Sequence, residues 1–235
     1  MSRHLTLRLD APLMSFGGDM VDAYGVVRDF PAKSMVTGLI ANALGWERYQ
    51  TSLMDRLQER LVMGAIQLRA GRRIQDFQTA QLGSGDRGWT THGRVEGRAG
   101  GAGTYQSPHI RYRDADADAV MMIAFRLVPT DETPDLDDIG EALDRPERPL
   151  FIGRKPFLPA TPLRGNLVEA DDIREALILA AADAQEPRLR AQWPIGEGAD
   201  EGAQLVELTD ERNWLTGVHA GLRRVVEGHI RVGAA

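Results

Sequence analysis

Cysteine is absent from the 235-residue chain, which excludes disulfide staples, thiolate nucleophiles and cysteine-ligated zinc. Lysine is nearly absent: Lys33 and Lys155 are the only two among 28 basic residues, so almost every cation is an arginine. No stretch reaches the roughly 18 apolar residues of a membrane span, and the N-terminus is a short alternating strand without a hydrophobic signal core. A soluble cytoplasmic protein with no membrane partner is therefore expected. The five histidines (His4, His92, His109, His219, His229) lack metal-ligand spacing. Asp114-Ala-Asp-Ala-Asp118 imitates the start of a calcium loop, but Ala119 stands at the glycine position and Phe125 at the bidentate glutamate position, so no cage closes. No phosphate-binding G-x-x-x-x-G-K-[ST] loop and no G-x-S-x-G elbow occur. No cofactor, metal or catalytic residue is expected.

What the chain does have is one unusual stretch. Between Arg69 and Arg113 stand eight arginines (Arg69, Arg72, Arg73, Arg87, Arg94, Arg98, Arg111, Arg113) against three acids (Asp76, Asp86, Glu96), a local charge of +5 in a chain of net charge −6. Its middle, Gly83 to Gly88 and Gly97 to Gly103, holds too much glycine for a helix and too few apolar side chains to bury. An exposed arm at about 75–112 is expected. Arginines interleaved with Trp89 and Tyr105 suit RNA, guanidinium for phosphates and rings for stacked bases; a solvated loop without function fits the composition equally well.

Around the arm the pattern is regular. Leu5, Leu7 and Leu9 alternate with polar residues, as in a half-buried strand ending at Asp10-Ala-Pro12. Leu13 to Gly18 follows, where Gly17 and Gly18 allow close backbone approach and Phe16 offers a flat face. Phe30-Pro31 opens a helix with a 3.6-period face from Met35 to Leu44, ending at Gly45. Lys33 and Ser34 sit at its start, where free N–H groups and the dipole favour an anion, although a solvated lysine beside a capping serine reads as well. A second helix is predicted over Thr51 to Gln58. Strands are predicted over Leu61–Arg69, His109–Arg113 and Ala119–Val128, and an acidic amphipathic helix over Pro134–Leu143. The order suggests an α+β, ferredoxin-like (RRM-like) domain over 1–147 with a long basic β-hairpin inserted. A smaller, mainly β part is expected over 148–235: a buried strand at Pro149–Pro159 carrying Arg154 and Lys155, a helix from Asp171 to Asp183, and a last strand over Leu222–Val232.

Four segments, Leu7 to Gly17, Phe30 to Ser34 with Gly38 to Gly45, Arg111 to Asp116, and Pro149 to Lys155, occur in one order around the arm. Together they resemble the CasD family, the fifth Cas-protein family (RAMP superfamily) of type I-E CRISPR effector complexes (Cascade), over about Leu5 to Leu163. The resemblance implies a non-catalytic subunit that holds the repeat-derived 5′ handle of the CRISPR RNA. Its partners would be the backbone-forming and large subunits, with target DNA met indirectly through the guide. The arm would be the family's thumb. The sequence differs in carrying Phe16 where an indole is familiar, and in the glycine content of the thumb. On this reading the RNA contacts are Ser15, Phe16, Gly17, Gly18, Arg28, Lys33, Ser34, Arg111, Arg113, Arg154 and Lys155. Arg87, Trp89, Arg94, Arg98 and Tyr105 are the arm's contacts with RNA or a partner. Two other classes stand beside it. One is a metal-independent ribonuclease, as in type I-C relatives, using His92, His109 or Tyr24 beside Lys33. The other is a purely structural subunit whose arginines meet acidic partners.

Overall fold

The computed structural model describes residues 1–18, 20, 22–81, 108–219 and 221–233, with the backbone of 88–89 and 95–96. In chain order its first elements are β1 (Ser2–Asp10), β2 (Leu13–Met14), β3 (Tyr24–Gly25), α1 (Lys33–Ala43), α2 (Thr51–Arg60), β4 (Leu61–Arg69) and β5 (Arg72–Ala80). Two short strands, β6 (Gly88–Trp89) and β7 (Val95–Glu96), pair with each other. β8 (His109–Ala117), β9 (Val120–Leu127), α3 (Leu136–Asp144), β10 (Arg164–Ala170) and α4 (Ile173–Ala180) follow, then β11 (Arg188–Pro194), β12 (Gln204–Leu208) and β13 (Arg223–Arg231). The result is a mixed α+β fold whose main sheet has the order β10-β1-β9-β4-β11-β13-β12, antiparallel at every pairing. Strands from before and after residue 147 thus share one sheet.

Side-chain alternation explains the two cores. Leu5, Leu7 and Leu9 of β1 face α1 and α3 together with Met63, Ala65, Met121, Ile123 and Phe125, and the helices answer with Val36, Leu39, Ile40, Ile139 and Leu143. The intervening residues point the other way. There α4 packs Ile173, Ala176 and Leu177 on Ile66, Ala124, Ala191, Trp193, Val226 and Ile230. Gly64 permits that approach, since a Cβ on it would meet Ile173 Cγ2 at 2.6 Å and the Gln192 carbonyl at 2.8 Å. β1 is therefore buried on both faces rather than half-buried: His4 and Thr6 are enclosed too, the threonine hydroxyl donating to the Asn166 carbonyl at 2.9 Å.

Helix starts are secured in two ways. Asp135 and Asp138 form a reciprocal capping box on α3. α1 has no side-chain cap from its own N-cap, Ala32; Asp210, far along the chain, supplies it. The Asp210 carboxylate accepts from the Lys33 amide at 3.0 Å, and its carbonyl accepts from the Ser34 amide at 3.0 Å. The strand expected at Pro149–Pro159 is not formed. Ile152 is buried, but its amide donates to the Phe157 carbonyl at 2.8 Å, closing a tight loop. Gly153 sits at φ +86°, where a Cβ would lie 1.7 Å from the Ser15 carbonyl oxygen, so no ladder can pass through it. Among the described residues, no helix is long and apolar enough to cross a membrane.

Candidate nucleic-acid interface

β5 and β8 pair without a register shift from Arg72↔Ala117 to Ala80↔His109, making a long ribbon that projects from the main sheet. This is the stem of the expected arm. Residues opposite one another in an antiparallel pair share a side, so Phe77 and Tyr112 lie on one side while Asp76 and Arg113 lie on the other. β3 runs parallel to β8, matching Tyr24 with Tyr112 and Gly25 with Arg113. Tyr24 stacks on Tyr112 with centroids 4.9 Å apart and planes 10° from parallel, and Phe77 tilts against Tyr112 at 5.4 Å. Three rings therefore cross the ribbon in a row, with Phe77 56% and Tyr24 51% exposed. Rings that would stabilise a core are here open to solvent, the arrangement that stacking on unpaired bases requires.

The opposite side is cationic. Arg111 and Arg113 are exposed on it, and Arg154 arrives from the Gly153 loop, its Nη2 donating to the Asp114 carbonyl at 3.1 Å. Burial, and then the neighbouring charge of Arg113, hold the Arg154 guanidinium below its ordinary pKa. An anion between the two arginines would relieve that repulsion. Lys155 beside them is exposed. Arg111 turns one Nη1 back to the Ile110 carbonyl at 2.8 Å and remains exposed.

The ribbon's base is bolted to the main sheet by ion pairs. Arg73 holds Asp116 and Asp29 at 3.0 Å each, Asp29 also holds Arg190 at 2.8 Å, and Arg190 reaches Glu227 on β13. Burial works against the charge on Asp29, but Arg190 and Arg73 outweigh it and keep that carboxyl below its usual range. Half-buried charges arranged in a chain fix orientation better than isolated surface pairs do.

Several residues singled out from the sequence lie elsewhere. Phe16 is 1% exposed and belongs to the main core, so its ring offers no face to a ligand. The chain doubles back there: the Arg28 amide donates to the Phe16 carbonyl at 2.6 Å, the Gly18 amide to the Val26 carbonyl at 3.0 Å, and Gly17 bridges Val27. Arg28 itself reaches the Thr209 carbonyl at 3.3 Å. Lys33 is 8% exposed and its ammonium is paired with Glu211 at 2.9 Å, so the anion expected at this helix start comes from the chain's own Asp210 and Glu211. Ser15 and Ser34 are buried, yet with Gly17 and Gly153 they line a cleft of about 310 Å³ whose far wall is Arg212, Trp214 and His219. That wall gave no sequence signal beyond a tryptophan two residues after an arginine. Arg87, Arg94, Arg98, Tyr105, His92 and the Trp89 side chain lie outside the described residues. Among the described residues, no group of three or more His, Asp or Glu could hold a metal ion.

A family model described as CRISPR-associated protein (Cas_Cas5) matches residues 4–226. One similar solved chain, from a "CRISPR RNA-guided surveillance complex", has a TM-score of 0.70 and 21% identity, covering 99% of this chain and 93% of that one. Another, from a "Crystal structure of Cas protein", has a TM-score of 0.63 and 25% identity, covering 99% and 98%. Among curated proteins none matches.

Proposed function

The chain belongs to the CRISPR-associated Cas5 family, and from that premise we propose that it is a CRISPR RNA-binding subunit of a type I-E Cascade surveillance complex. In this reading it holds the repeat-derived 5′ handle without cutting it, and meets the backbone-forming and large subunits. The single observation that carries the RNA assignment is the two-sided ribbon: the exposed rings of Phe77 and Tyr24 flanking a half-buried Tyr112 on one side, Arg111 and Arg113 on the other, with Arg154 and the exposed Lys155 following from the Gly153 loop. Stacking on rings with phosphates on cations is how proteins hold single-stranded RNA. The solved chains that share the fold come from a CRISPR RNA-guided surveillance complex and from a structure of a Cas protein, which supports membership of such an assembly. The strand order β10-β1-β9-β4, joined through α1 and α3, supports a ferredoxin-like reading of the first part.

The non-cutting role is supported by the fate of Lys33. A metal-independent ribonuclease needs a base for the 2′-hydroxyl and a cation for the developing charge. The cation that the sequence offered is buried and already neutralised by Glu211. Incubation of the purified protein with labelled repeat RNA is expected to give a retained but intact RNA. Specific cleavage that disappears on Lys33→Ala or His109→Ala would establish the ribonuclease instead.

A further inference from the structure

Arg212 is a half-buried guanidinium with no carboxylate partner among the described residues. Arg126, Arg148, Arg190 and Arg223, similarly placed, each hold a carboxylate. The Arg212 side chain instead lies 5.3 Å over the Trp214 ring, and its Nε and the Trp214 Nε1 are buried without an acceptor among the described residues. The main chain around them is firmly held. Gln58 on α2 accepts from the Arg212 amide at 3.1 Å and donates to its carbonyl at 3.0 Å, and Asp210 ties the same segment to α1. His219 is bridged to Arg212, so the two residues flank one turn.

This turn walls the 310 Å³ cleft, and among the described residues no carboxylate lines it. Met35, Phe151 and Trp214 supply apolar surface; Arg212 supplies positive charge and His219 a ring nitrogen. Gly153 on the opposite wall is followed directly by Arg154 of the ribbon's cationic side, so the cleft adjoins the surface already read as the RNA path. We propose that the cleft takes one unstacked nucleotide of the bound RNA, its base against Trp214 and its phosphate against Arg212 and His219. This rests on the RNA-binding reading and adds a second, separate site to it. A carboxylate-bearing protein segment would satisfy Arg212 but would not need the apolar walls.

Gly17 provides the test. A Cβ there would meet nothing within 4 Å and the backbone is not left-handed, so Gly17→Leu can fill the cleft without strain. With the repeat RNA of a co-expressed array as probe, Gly17→Leu is expected to keep the wild-type melting temperature while binding at least about tenfold more weakly, the scale of one lost stacked base. Arg212→Gln is expected to lower the salt slope of binding by about 0.7, one phosphate contact on a single strand. Ultraviolet crosslinking should join RNA to the peptide bearing Trp214. Wild-type affinity and slope in both variants would overturn the cleft site while leaving the ribbon intact. Crosslinks from Trp214 to a partner protein instead of RNA would overturn it as well. Absence of RNA binding by the wild-type protein would defeat the underlying reading itself.

Discussion

Replacing Asp210 with alanine is expected to destabilise the protein by about 3–5 kcal/mol, the scale of leaving one member of a buried ion pair without its partner. Asp210 is 1% exposed and serves three contacts at once. Its carboxylate accepts from Arg223 at 2.5 and 3.0 Å and from the Lys33 amide at 3.0 Å, and its carbonyl caps the Ser34 amide. Without the side chain, the mostly buried Arg223 loses its counter-charge and α1 loses its only observed side-chain cap. Asp210→Asn retains an acceptor for the helix and should cost less. Acid provides an independent check. Burial alone would raise the Asp210 pKa, but Arg223 and the Lys33 amide more than offset this and hold it below the ordinary 3.8. A depressed carboxyl contributes stability that is fully present above the unfolded value and lost as pH falls through the folded one. Urea midpoints should therefore decline below about pH 4 in the wild type, and less steeply in Asp210→Ala. Equal midpoints for both proteins at neutral pH would show that the carboxylate holds nothing together.

The second large effect concerns binding. Changing Arg111, Arg113, Arg154 and Lys155 together to glutamine is expected to weaken RNA binding on the order of ten-thousandfold at low salt. A hydrogen bond to a charged group contributes about 1.5–3 kcal/mol, or roughly tenfold or more each. Salt separates this from unfolding. Each phosphate contact removed should lower the slope of log affinity against log salt by about 0.7, so four contacts give about 2.8, and the two proteins should converge at high salt. The fold should survive, because Arg111, Arg113 and Lys155 are exposed and Arg154 loses one bond, to the Asp114 carbonyl. An unchanged slope would mean that this side of the ribbon touches no phosphate.

What could be read from the sequence depended on how local the cause was. β1, α1, β4, β9 and α3 declare themselves by period, since each buries an apolar face of its own. The positions that misled are set by distant chain. Lys33 looks free at a helix start until Glu211, 178 residues on, neutralises it. Phe16 before two glycines looks exposed, but the Gly17–Val27 bridge turns it into the core. β11 alternates, with Leu189, Ala191 and Trp193 inward and Arg188 and Arg190 between them, a period-two run missing from the predicted strands. Pro149–Pro159 was apolar enough for a strand, but Gly153 must touch Ser15. The ring ladder was invisible because the pairing of Phe77 with Tyr112 is a matter of register across the long insertion, and Tyr24 joins from a third strand.

Crosslinking of the assembled protein to its RNA reads out directly whether the ribbon holds the CRISPR RNA. The chain would be co-expressed with its CRISPR array and partner subunits, irradiated, and digested for peptides carrying RNA. Intact repeat-derived RNA is expected to be joined to peptides containing Tyr24, Phe77 or Tyr112. An assembly in which this subunit carries no RNA, or carries it only on peptides away from these rings and from Arg111 to Arg113 and Arg154, would contradict that expectation.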